Sequence, residues 1–205
     1  MRPVSRPVYT GQLYVNYKSY LKPLIENFGG YCSYCERQDK LDVEHVAPKS
    51  KNLHLEVEWG NLLLGCPRCN RDFKKSKNDN REGYMWPDTH NTFGLLKYLE
   101  DGRVTPADGL ADDIELIVQN TIELVCLDDK NQPQKTLNLA RRRKFKSADI
   151  AKRKFVDGCQ TLDEILLLAE EGFWSVWLTV FKDIDEVKEA LLNHVSYPNT
   201  SGDLA

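Results

Sequence analysis

Apolar residues along this chain fall into several short runs, not one long one. Residues 1–15 contain Pro3 and Pro7 and show no helical or strand period, which predicts an extended arm. Residues 17–28 are followed by Gly29 and Gly30, which predicts a helix with a glycine stop. Leu41-Asp42-Val43-Glu44-His45-Val46 alternates with a period of two, the pattern of a short strand, and ends at Pro48. Asn61-Leu62-Leu63-Leu64-Gly65 is a second apolar run. A helix is predicted to start near Cys69 and to end near Lys77, whereas 83–110 is rich in turn formers. Further helices are predicted over 111–127, over 133–156 with a break near Ser147, and over 161–171 and 173–195 as amphipathic elements. The last ten residues are expected to fray, and the chain shows no internal repeat or low-complexity tract.

Composition narrows the class without naming a function. The chain has 205 residues, 41% hydrophobic and 29% charged, which argues against a disordered, collagen-like or disulfide-miniprotein chain. No stretch approaches the roughly 18 apolar residues of a membrane span, so no membrane partner is expected. Residues 1–7 lack the apolar core of a secretory leader, and a cytoplasmic location is expected. The net charge of -3 is unlike that of a non-specific DNA coat, which draws its affinity from phosphate neutralisation. The average hides an asymmetry. Residues 67–81 are net +4, 141–154 net +7, and 161–205 net -7. Two basic stretches and an acidic tail suggest one surface facing a polyanion, or simply solvated helix faces.

Six cysteines are present. Four form two matched pairs, Cys32/Cys35 and Cys66/Cys69, with 30 residues between them. Paired C-x-x-C knuckles are the spacing that wraps four thiolates around a tetrahedral Zn2+. The alternatives are two unrelated pairs or one redox pair. Four protein ligands leave no open position, so such a zinc is structural. Cys126 and Cys159 stand alone in apolar context and are expected to be buried thiols.

The loop between the knuckles carries the candidate chemistry. Glu44 directly precedes His45 at the end of one strand, Asn61 opens the next apolar run, and Asn70 follows the last knuckle cysteine where a helix begins. Over about residues 30–78 these elements resemble the HNH endonuclease family, the zinc-supported ββα-metal nucleases. The pattern there is Asp/Glu-His, then Asn-Leu, then C-x-x-C-His/Asn leading into a helix. Glu44-His45, Asn61-Leu62 and Cys66-Pro67-Arg68-Cys69-Asn70 stand at those positions. The usual first residue is Asp, and Glu is longer by one methylene.

The resemblance implies roles that residue chemistry supports. His45 titrates near neutrality and is the candidate general base. Glu44 offers a hard carboxylate oxygen and Asn70 an amide oxygen, both suited to Mg2+ or Mn2+. Asn61 is implied to orient the His45 strand by hydrogen bonding across the ββ loop. Arg68, Arg71, Lys74 and Lys75 follow as candidate contacts to a DNA backbone, positioning it without reading bases. Each has a plainer reading: a packed histidine, Asp42 as rival ligand on the face of Glu44, Asn70 as a helix N-cap. His54 and His90 are expected on loops.

A narrower resemblance rests on 31–37, on Val43-Glu44-His45-Val46-Ala47-Pro48-Lys49-Ser50, and on 101–104 and 120–124. These look like the HNH nuclease subunits of Septu and some retron defence systems. That likeness implies anti-phage defence and a complex with an ABC- or SMC-like ATPase, docked on the C-terminal helices. The chain has no G-x-x-x-x-G-K-[ST] motif of its own. The other class is a zinc-stabilised adaptor that binds nucleic acid or protein without cutting. The expected fold is α+β: an N-terminal arm and helix over 1–29, a ββα-metal core with zinc knuckles over 30–78, and a mainly helical extension over 79–205.

Overall fold

The alternating stretch becomes strand β1 (Asp42–His45), and the apolar run becomes β2 (Leu62–Gly65). They pair antiparallel in the register Asp42↔Gly65, Val43↔Leu64, Glu44↔Leu63 and His45↔Leu62. A strand covered on both faces reads as continuous apolar sequence, and Leu62, Leu63 and Leu64 are fully buried. On β1 the alternation does not mark a wet face, because Val43, Glu44 and His45 are all buried. The computed structural model describes residues 1–201.

The helix predicted after Cys69 forms as a π-helix, Arg68–Lys74. Its wide turn is closed by the Lys75 amide donating to the Asn70 carbonyl at 2.8 Å. π-helical turns are rare in proteins. The element ends at Lys75, which adopts a positive φ of 52°.

Before the strands, Asn16 caps a 3-10 turn (Tyr17–Tyr20) by accepting from the Lys18 amide at 3.0 Å. The turn runs directly into α1 (Leu21–Phe28), whose Leu24 and Phe28 are buried. Gly29 ends it at φ 81°, where an added Cβ would lie 2.6 Å from the Ser196 carbonyl oxygen. The arm is extended but tied down at its start. Val4 bridges Thr200, and the Arg6 guanidinium donates to the Trp59 and Leu62 carbonyls and pairs with buried Asp88.

The extension differs from expectation in three places. The turn-rich stretch contains a short hairpin, β3 (Leu96–Tyr98) with β4 (Val104–Pro106), closed over Gly102 at φ 91°. A side chain at Gly102 would collide with the Asn138 carbonyl of a later helix, so this turn is shaped by distant packing. The break expected near Ser147 is absent: α3 (Thr136–Val156) is continuous, and the Ser147 hydroxyl donates to the Arg143 carbonyl one turn back. The single helix expected over 173–195 is two, α5 (Trp174–Val180) and α6 (Asp185–Leu192). α5 is buried nearly all round, so its apolar run carries no helical period to mark its end. The remaining helices are α2 (Asp112–Leu124) and α4 (Leu162–Ala169), the latter started by a Thr161/Glu164 capping box.

The tail is ordered through Ser201: Tyr197 is buried and its ring stacks on Tyr31 at 4.7 Å. The expectation of fraying at 202–205 lies outside the described residues. Cys126 is buried as expected, whereas Cys159 is exposed at the turn after α3. The basic helix α3 is not wholly a solvent face either. Arg141 is buried, donating to the Leu127 carbonyl at 3.1 Å and to the Gly102 carbonyl. The fold is thus a mixed α+β arrangement of two small sheets and six α-helices around the described core, with the four knuckle cysteines inside it. No helix among the described residues is long and apolar enough to cross a membrane.

Candidate functional site

The two knuckles meet beneath the β1–β2 pair. Cys32 and Cys35 share a tight turn in which the Glu36 amide donates to the Cys32 carbonyl at 2.9 Å. Cys66 follows β2 directly, and Cys69 sits in the first turn of the π-helix. The four sulfurs lie within 4.8 Å of one another and all four residues are buried. Cys35 and Cys66 Sγ are 3.7 Å apart. A tetrahedron with Zn–S bonds of about 2.3 Å has an edge of about 3.8 Å, so the spacing and the donor set fit a closed zinc site. The four close sulfurs compete for protons: hydrogen bonds among them hold the Cys35 and Cys66 thiols down, burial pushes the Cys32 thiol up, and hydrogen bonds from the other cysteines push the Cys69 thiol up.

Above the clasp lies a groove of about 720 Å³ lined by Asp42, Glu44, His45, Asn70, Arg71 and Lys75 among others. Glu44 is almost fully buried. Its Oε1 accepts from Lys74 Nζ at 2.7 Å and from the Tyr34 hydroxyl at 3.3 Å. Its Oε2 makes no hydrogen bond among the described residues, and neither does the Asn70 side-chain amide. Glu44 and Asn70 flank Gly65: a Cβ built there would lie 3.0 Å from Asn70 Cβ and 3.1 Å from Glu44 Cβ. The missing side chain at Gly65 leaves room between the Glu44 and Asn70 side chains, and both residues line the groove. A carboxylate and an amide with unused oxygens, on residues that line one groove, are a donor set that fits a hard divalent cation, which keeps further positions for water and phosphate. Burial raises the Glu44 pKa, against the opposing pull of Lys74 and Tyr34.

His45 occupies the end of β1. Its Nε2 lies 2.9 Å from the Glu56 carbonyl oxygen. A carbonyl only accepts, so Nε2 carries the proton and Nδ1 is the basic atom. Burial lowers the His45 pKa, with the Glu56 carbonyl pulling the other way, and so favours the neutral imidazole. Asn61 spans the turn between the strands. Its Oδ1 accepts from the Ala47 amide at 2.8 Å and its Nδ2 donates to the Ala47 carbonyl at 3.0 Å. A further Asn61 bond to the Leu55 carbonyl ties in the segment that presents Glu56.

The four basic residues expected along a DNA backbone separate. Arg71 and Lys75 are exposed and line the groove. Lys74 is fully buried, with its ammonium held between Glu44 and the His45 carbonyl at 2.8 Å. Arg68 turns away to the Val125 and Cys126 carbonyls and to Asp129. Lys74 and Arg68 are therefore internal ties, because their partners are buried carboxylates and carbonyls. His54 sits in an exposed 3-10 turn, and His90 Nδ1 accepts from the Trp86 amide in a loop. Sequence reasoning missed Tyr34, Glu56 and Tyr17. None stands in a ligand spacing, and only the folded backbone brings them to Glu44 or His45.

Residues 32–76 match the HNH endonuclease family model, and that stretch holds all four knuckle cysteines together with Glu44, His45, Asn61 and Asn70. A Septu protein PtuB from Bacillus thuringiensis is 41% identical over 71 residues, covering 32% of this chain and 27% of that protein. A Septu protein PtuB from Bacillus mycoides (strain KBAB4) is 34% identical over 71 residues, covering 26% of this chain and 24% of that protein. The chain thus spans about a quarter of the length of the curated relatives it matches.

Proposed function

We propose that this chain is a metal-dependent endonuclease that hydrolyses DNA phosphodiester bonds, with His45 as general base. One observation carries the reading. Glu44 and Asn70 stand on either side of Gly65 and line the groove that also holds His45, and neither Glu44 Oε2 nor the Asn70 side-chain amide has a hydrogen-bond partner among the described residues.

The chemistry follows from these groups. Nδ1 of His45 takes the proton of a water as that water attacks phosphorus, and the bond to the 3′-oxygen breaks. Burial favours the neutral imidazole, the form that can accept that proton. Glu44 and Asn70 would hold Mg2+ or Mn2+, which supplies charge stabilisation to the phosphate oxygens and the leaving oxygen. Asn61 keeps the strand end and the Glu56 carbonyl in place, so the imidazole stays in one tautomer. Arg71 and Lys75 hold the DNA backbone at the groove rim. The cysteine clasp contributes rigidity and takes no part in the chemistry.

We further infer that the chain works in an anti-phage defence complex with an ABC- or SMC-like ATPase. The support is the likeness to the two Septu proteins and the basic and acidic helical surfaces of 79–205. In this scheme 1–29 braces the 30–78 core and 79–205 docks the partner.

A second reading has one observation in its favour. Lys74 already places a cation on Glu44 Oε1, as an adaptor with a silent site would. Supercoiled-plasmid cleavage separates the two. The wild-type chain, alone or with its ATPase partner, is expected to cut with Mg2+ or Mn2+ and to stop when the free divalent ion is removed. Glu44→Gln is expected to raise the metal concentration for half-maximal cutting about tenfold or more while keeping its zinc. Absence of cutting under every metal and with the partner would favour the adaptor.

A further inference from the structure

We propose that Tyr17, Lys49 and Glu56 close a ring of contacts around the His45 imidazole and act as its positioning residues. This rests on the reading of His45 as the base. The ring can be followed contact by contact. His45 Nε2 donates to the Glu56 carbonyl at 2.9 Å. The Glu56 carboxylate accepts from Lys49 Nζ at 2.8 Å. That same ammonium stands 4.1 Å from the centroid of the Tyr17 ring. The Tyr17 ring in turn packs edge-on to the imidazole, with centroids 4.8 Å apart and planes at 65°.

Each contact alone is modest. A half-exposed lysine–glutamate pair holds little by itself, and a cation over a half-buried ring adds a comparable amount. Their arrangement is what matters. The bond at Nε2 fixes the tautomer but leaves the imidazole free to swing about its attachment to the backbone. Tyr17 blocks that swing. Lys49 holds Tyr17 and Glu56 in one place, so the two restraints on the imidazole are tied to each other. Tyr17 is itself placed by the Asn16 cap and by buried Tyr20 in the same turn. It precedes the 32–76 stretch of the family match, so the N-terminal segment completes the site. The ring closes around the reacting nitrogen's partner atom, leaving Nδ1 outside it.

The test compares the full-length wild type with Tyr17→Ala, Tyr17→Phe and Lys49→Met. Plasmid cleavage is measured with Mg2+ or Mn2+, and the imidazole is observed by 15N NMR, with His45→Ala assigning the signal. Tyr17→Ala is expected to lower kcat about tenfold or more with KM changed less than about twofold, because orientation is lost while binding is kept. Tyr17→Phe, which keeps the ring, is expected to rescue. The wild-type imidazole should show a single Nε2–H tautomer, and Tyr17→Ala and Lys49→Met should show averaged or broadened ring signals. Wild-type kcat and unchanged ring signals in Tyr17→Ala would overturn the proposal, as would equal loss in Tyr17→Phe. Should Tyr17→Ala lose its zinc or its cooperative melting, Lys49→Met, a half-exposed position, decides in its place. A wild-type chain that never cuts would sink the nuclease reading, and the NMR comparison would still decide the ring.

Discussion

Cys35→Ser is expected to release the zinc and to abolish cooperative folding of the core. Structural zinc contributes about 10–16 kcal/mol of apparent binding energy in small zinc domains, against a total stability of about 5–15 kcal/mol for an ordinary domain. Here the clasp also joins elements far apart in sequence. It fixes the turn at 32–35 to the end of β2 and the start of the π-helix, and the four cysteines lie within the main apolar cluster. Losing one thiolate opens the cluster and leaves the β1–β2 pair without its base. The check is zinc content with thermal melting: about one zinc per chain and one transition for the wild type, little zinc and a broad or absent transition for Cys35→Ser. Equal zinc and equal melting would show that the four sulfurs are not a ligand set.

His45→Ala is expected to lower cleavage by about 10²–10⁴-fold, the usual contribution of a positioned general base. The same change should leave zinc content intact. It removes one hydrogen bond to a backbone carbonyl, worth about 1 kcal/mol, and the edge contact with Tyr17, so melting should shift by only a few degrees. The combination separates a chemical role from a structural one. Full cutting by His45→Ala would assign the base elsewhere, and collapse of the fold would make the histidine a core residue.

How much of this was legible in the sequence varies by element. The clasp was legible because matched cysteine pairs are a covalent-scale signal that does not depend on tertiary packing. β1 and β2 were legible because a period of two and a bounded apolar run each specify a strand. The fate of Lys74 was not. It lies in a run of basic residues, and such runs normally coat a solvent face. It closes a π-helix, whose turns differ from the α-helical period that a sequence pattern assumes, and it stands buried on Glu44. The β3–β4 hairpin was hidden for another reason: its strands are three residues long, and its turn geometry at Gly102 is enforced by α3. The boundary between α5 and α6 was lost because α5 is buried on all sides. In the site, Glu44, His45, Asn61 and Asn70 could be named from motif spacing. Their tautomer, their free oxygens and the Tyr17–Lys49–Glu56 ring could not, since these depend on distances between segments that sequence does not relate.

The most direct measurement is the anomalous scattering of Mn2+ in crystals of the zinc-loaded protein. The expected result is a manganese peak in the space between Glu44 Oε2 and the Asn70 amide, beside His45, and distinct from the zinc signal at the cysteines. A protein whose cutting depends on Mn2+ but whose manganese lies away from Glu44 and Asn70 would contradict the site at its root.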